Sequence, residues 1–72
     1  MISFEPLWET MKRKNATTYT LQHKGKPYNV SSSSIRQMKA GQSVSTNTLD
    51  AICKILDCEI SDIIKFVPDE NQ

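Results

Sequence analysis

The side chains best suited to chemistry lie in residues 28–43, YNVSSSSIRQMKAGQS. Four consecutive serines, Ser31 to Ser34, precede Arg36, Gln37 and Lys39, and the run stops at Gly41. Val30, Ile35 and Met38 supply a narrow apolar stripe. Wound as a short helix, the stripe faces inward and the hydroxyl, amide and cationic groups face out. Such a face suits hydrogen bonding to base edges in a DNA major groove. A Ser-rich loop ahead of an ordinary surface helix is the plainer alternative.

Catalytic chemistry has little to work with. His23 is the single histidine, and no Ser, Cys or carboxylate stands around it at motif spacing. With only Gly25 and Gly41, the chain has no glycine-rich loop to cradle a phosphate. Cys53 and Cys58, spaced C-x4-C, lack a fourth partner even with His23, whereas structural zinc normally takes four protein ligands. Two cysteines are also too few for a disulfide framework. They are expected to be reduced, with Cys53 acting as a small buried hydrophobe. No enzyme activity, cofactor, metal or small-molecule ligand is expected.

The elements that must position the serine run belong to a chain of 72 residues, enough for one small domain. That domain is expected over 1–67, with a flexible acidic tail over 68–72. Residues 1–42 carry Lys12, Arg13, Lys14, Lys24, Lys26, Arg36 and Lys39 against Glu5 and Glu9, a net +5. Residues 43–72 carry Lys54 and Lys65 against Asp50, Asp57, Glu59, Asp62, Asp69 and Glu70, a net −4. A basic half would draw a polyanion and an acidic half would orient it. No apolar run approaches the roughly 20 residues that cross a bilayer. The N-terminal residues lack a basic start followed by an apolar region, so a cytoplasmic location is expected.

Periodicity and capping residues predict an all-α fold of five short helices. The first spans Phe4 to Lys14, capped by Ser3, with Phe4, Leu7, Trp8 and Met11 as its stripe. Asn15 ends it in a left-handed conformation. The second begins at Thr17 or Thr18 and runs to about Lys24. There Gly25 ends it and Pro27 pushes Lys26 out of the helical region. The third runs from about Ser32 to Ala40, capped by Ser31 and closed by Gly41. Thr46 caps the fourth, about Asn47 to Leu56, with Leu49, Ile52, Cys53 and Leu56 inward. Ser61 caps a last helix from Asp62 to about Phe66, and Pro68 stops it.

This order resembles a known family. The second helix reads T-x-x-L and the third V-S-x-x-S-I-x-x-M-x-x-G. Then follows V-S-T-x-T-L-D-x-I-C-x-I-L-D-C-x-I-S-D-I-I. Together they look like the lambda-repressor-like (Cro- and Xre-type) helix-turn-helix family, in particular its small stand-alone bacterial and mobile-element regulators. The resemblance runs from about Leu7 to Val67. It implies a sequence-specific DNA-binding transcriptional regulator, usually a repressor, with the helix at about 32–40 in the major groove. By position, Ser32, Ser33 and Gln37 would contact bases. Arg36, on the flank, would reach a phosphate or a guanine edge. Phosphate contacts would fall to Thr17, Thr18, Lys39, Gln42 and Ser43. The chain departs from the family between its second and third helices. HKGKPYNVS is about three residues longer than usual, and Asn29 stands where a turn glycine is expected. Those extra residues would project Lys24, Lys26 and Tyr28 toward a phosphate or a partner.

Double-stranded DNA is therefore the expected partner, with no membrane contact. The alternative is a protein-interaction module of the same fold that has lost DNA binding. Ile55, Ile60, Ile63, Ile64, Phe66 and Val67 exceed what one small core needs. A weak homodimer is expected through Phe66 and Val67, with Ile63 beside them.

Overall fold

The computed structural model describes residues 1–24 and 28–69. The expected effects of Gly25 and Pro27, the projection of Lys26, and the outer part of the acidic tail lie outside the described residues.

Capping chemistry sets the helix starts. α1 (Glu5–Arg13) carries Pro6 in its first turn, where a missing N–H costs nothing. Its cap position is Phe4, one residue later than expected, and Ser3 Oγ accepts from the Glu5 N–H at 3.2 Å. α2 (Thr18–His23) is capped by Thr17. The Thr17 hydroxyl accepts from the Thr20 N–H, and the Thr17 N–H donates back to Thr20 Oγ1 at 3.1 Å. α3 (Ser32–Lys39) starts at Ser31, whose hydroxyl accepts from the Ser34 N–H at 3.2 Å. α4 (Thr46–Leu56) is capped by Ser45 rather than Thr46. Ser45 Oγ reaches the Thr48 N–H at 3.2 Å, which closes the first turn one residue earlier.

Three helices end by one device. Asn15, Gly41 and Asp57 have φ of 57°, 75° and 51°, the left-handed region. After each, an N–H reaches back five residues: Ala16 to Met11 O at 2.8 Å, Gln42 to Gln37 O at 2.8 Å, Cys58 to Cys53 O at 3.1 Å. This six-to-one closure satisfies carbonyls that the helix leaves open. Asn29, which stands where the family has a turn glycine, is not left-handed.

The expected fifth helix does not form. A 3-10 turn covers Ile60–Asp62, and the Asp62 carboxylate accepts from the Glu59 N–H at 3.0 Å. The chain then extends. β2 (Lys65–Phe66) pairs antiparallel with β1 (Ile2–Ser3), Ile2 opposite Phe66 and Ser3 opposite Lys65. The Val67 N–H adds a bond to Met1 O at 2.7 Å. So short a segment before Pro68 cannot recover the cost of nucleating a helix. Its β-branched and aromatic residues suit an extended strand instead.

The core gathers Phe4, Leu7 and Met11 of the α1 region, Leu21, Val30, Ile35 and Met38, Ile52 and Leu56, and Ile63. Ile63 is fully buried, so it cannot belong to a dimer surface as expected. Its carbonyl also accepts from the Leu7 N–H at 3.1 Å. Beside it, Thr10 is buried and its hydroxyl donates to Asp62 O at 2.7 Å. Cys53 is half-buried, not fully buried as its stripe predicts, because it packs at the last turn of α4 against the exit of the chain. Among the described residues, no helix is long and apolar enough to cross a membrane.

Candidate nucleic-acid interface

The α3 face is built from its buried side outward. Ile35 and Met38 are 5% and 1% exposed, and Ser34 is half-buried. Ser32, Ser33, Arg36, Gln37 and Lys39 are exposed. With four-residue neighbours stacked along a helix, Ser32 lies beside Arg36 and Ser33 beside Gln37. Two adjacent rows thus pair a hydroxyl with a longer hydrogen-bonding group. Given the 3.6-residue repeat, Ser33 stands opposite the buried stripe, with Arg36 and Gln37 to either side of it.

The serines are partly engaged by the cap. Ser31 Oγ lies 3.0 Å from Ser34 Oγ and 3.3 Å from Ser33 Oγ. A hydroxyl has one donor and two acceptor positions, so Ser33 keeps capacity for a ligand. Among the described residues, Ser32 makes no such contact, and neither Arg36 nor Lys39 has a salt-bridge partner.

The end of α3 extends this face into the following loop. Gln42 N–H to Gln37 O, with Gly41 N–H to Met38 O at 3.1 Å, closes the helix. The closure brings Gln42 back to the last turns, next to Gln37. Gln42 and Ser43 are exposed. They also border a half-open apolar groove of about 380 Å³ that reaches Ile2, Phe4, Leu49 and Ile64.

The longer connection before α3 is tied to α2 at its end. The Val30 N–H donates to Leu21 O at 2.8 Å, which closes the connection at its base. Tyr28 turns back to α4: Lys54 Nζ sits 4.7 Å from its ring centroid, a cation–π contact. Lys54 also pairs with Asp50 at 2.9 Å. That hydrogen-bonded carboxylate raises the Lys54 ammonium above its ordinary range. So Tyr28 is not projected toward a phosphate or partner as expected. No spacing signal joins Tyr28 to Lys54, since 26 residues separate them and only the fold brings them together.

Thr17 is exposed and Thr18 half-buried at the start of α2. The charged halves interleave rather than face apart. Arg13 Nη2 stands 4.0 Å from Asp62 Oδ1, and Lys65 pairs with Glu5 at 3.4 Å. Both pairs are exposed and contribute little stability. Among the described residues, α3 presents two exposed cations, Arg36 and Lys39.

A structural comparison agrees with this geometry. The transcriptional regulator VanUg superposes with a TM-score of 0.81 and 28% identity, over 94% of this chain and 87% of that one. Comparison with curated protein sequences gives no significant match. The sequence profile of the Cro/C1-type helix-turn-helix DNA-binding domain matches residues 6–69. A match over nearly the whole chain, on a fold that carries an exposed polar α3 behind a Thr-capped α2, makes this chain a member of the Cro/C1-type helix-turn-helix DNA-binding family.

Proposed function

We propose that the chain is a sequence-specific transcriptional regulator that acts as a repressor and reads the major groove with α3. The observation that carries this reading is the α3 surface. Ser32, Ser33, Arg36 and Gln37 are exposed opposite buried Ile35 and Met38, and Arg36 has no ion-pair partner among the described residues. Gln37 has the geometry for a bidentate bond to adenine, and Arg36 for guanine. The two serines accept either a purine or a pyrimidine edge, so they discriminate weakly and leave part of the selectivity to DNA shape. Thr17, Thr18, Lys39, Gln42 and Ser43 contact phosphates and fix the register.

The regulator binds DNA as a weak homodimer, which doubles a short recognition face. Phe66, 69% exposed, stands opposite Ile2, 48% exposed, on the same sheet face, with half-buried Val67 following. An isologous contact through this patch would join two copies.

A mobility-shift titration against salt tests the reading. DNA binding through phosphates loses affinity steeply, with a log–log slope of about −0.9 per phosphate neutralised. Binding that is absent or flat with salt would leave the interaction-module alternative.

A further inference from the structure

The end of α4 places two thiols together, outside the DNA face. Asp57 is left-handed, and the N–H groups of Asp57 and Cys58 both donate to Cys53 O. In this closure the residue five positions on meets the residue that accepts the bond, commonly as an apolar contact. At α1 that pair is Met11 and Ala16, both packed in the core. At α4 the pair is two cysteines. Both are unbridged and half-buried, and each thiol shifts the other's ionisation.

We infer that Cys53 and Cys58 form an oxidant-responsive dithiol that closes to an intrachain disulfide at the expense of a hydroperoxide. The Cys58 N–H to Cys53 O bond, at 3.1 Å, brings the two residues into backbone contact, the proximity that a disulfide needs. In the first step one thiolate attacks the terminal peroxide oxygen. The O–O bond breaks, giving a sulfenic acid and, for hydrogen peroxide, hydroxide. In the second step the other thiolate attacks the sulfenic sulfur and expels hydroxide as the S–S bond forms. Two protons from the thiols neutralise the two hydroxides. The sum is two thiols and one hydrogen peroxide to one disulfide and two waters. A dithiol reductant reverses it by exchange.

The surroundings set the pH response. Burial pushes both thiols up. Asp50 and Asp62 add to this at Cys53, and the Cys53 thiol and Asp62 at Cys58. Opposing them, the Cys58 thiol favours the Cys53 thiolate and the Lys14 ammonium the Cys58 thiolate; with its neighbour's help Cys53 attacks the peroxide and Cys58 resolves the sulfenic acid. Closure is therefore slow at neutral pH and faster as pH rises.

The test uses the whole chain, reduced, then treated with hydrogen peroxide, denatured and alkylated before intact-mass measurement. It does not depend on DNA binding. The expected product has lost two hydrogens, takes no alkyl group, and regains both thiols with dithiothreitol. Its rate of formation increases from neutral to alkaline pH. Phenylarsine oxide, which bridges neighbouring thiols, is expected to bind once per chain. Cys58→Ser is expected to lose that binding and to give a dimedone-trapped sulfenic acid at Cys53. Cys58→Ala serves where the serine variant does not fold. Two alkylated thiols after oxidation, a disulfide between chains, or arsenical binding that survives Cys58→Ser would each overturn the inference.

Discussion

A single side chain can be tested for what it reads. Gln37 and Lys39 share one helix but face different chemistry. Gln37→Ala is expected to weaken specific binding by about 1–3 kcal/mol and relax preference at one base pair. Lys39→Ala is expected to weaken all sequences alike and lower the salt slope by about one unit. Titrations on operator and random duplexes separate the two; equal effects on both duplexes would refute the groove assignment. Thr10 makes a different kind of contact. Its buried hydroxyl donates to Asp62 O at 2.7 Å and ties α1 to the C-terminal turn. Thr10→Val keeps the shape and removes the donor, leaving that carbonyl short of a partner. Urea unfolding is expected to show a loss of about 1–3 kcal/mol. An unchanged midpoint would mean that water replaces the bond. The sequence made the outward face of α3 legible because a 3.6-residue repeat fixes exposure once Ile35 and Met38 point inward. It did not make Thr10 legible, because a threonine on a polar edge of α1 looks solvated until the chain returns over it. Ile63 misled for the same reason: an isoleucine near the end reads as surplus until Leu7 and Met11 are packed around it.

Helices were legible where the local chain carries its own start and stop. Thr17, Ser31 and the Ser45–Thr48 turn satisfy N–H groups within a few residues, so no distant partner is needed. β1 and β2 were not legible. Two residues carry no alternation, and each strand exists only because the other lies beside it. The element most open to perturbation is the end of α3. Gly41 has φ of 75°, and a Cβ there would meet nothing within 4 Å. Only backbone strain opposes a side chain. Gly41→Ala is therefore expected to cost about 1–2 kcal/mol in thermal or urea unfolding. DNA affinity is expected to fall further than stability alone explains, because Gln42 and Ser43 follow directly. A neutral Gly41→Ala in both assays would show that the loop tolerates another path.

Whole-molecule charge was the least legible level. The sequence splits into a basic and an acidic half, yet Arg13 turns to Asp62 and Lys65 to Glu5 across that division. Order along the chain does not determine which surface a charge occupies; packing does. The same packing leaves an apolar pair uncovered on the two-stranded sheet. Ile2 and Phe66 are cross-strand partners, so their side chains share a face, and both are exposed. The groove reaching Ile2 makes this apolar surface larger than the two side chains alone. A patch of this kind is too small to hold two copies firmly in solution, where stable interfaces bury about 1,200–2,000 Å². On DNA, two copies bound to half-sites about 34 Å apart are presented to each other at high local concentration, and a weak contact then suffices. Sedimentation is therefore expected to show mostly monomer at low micromolar protein and two protomers on an operator-length duplex. Phe66→Asp sets a like charge against its copy across an isologous contact. It is expected to leave single half-site affinity intact and abolish cooperativity on the full operator. A single protomer bound at saturation, or unchanged cooperativity in Phe66→Asp, would exclude this patch as the dimer contact.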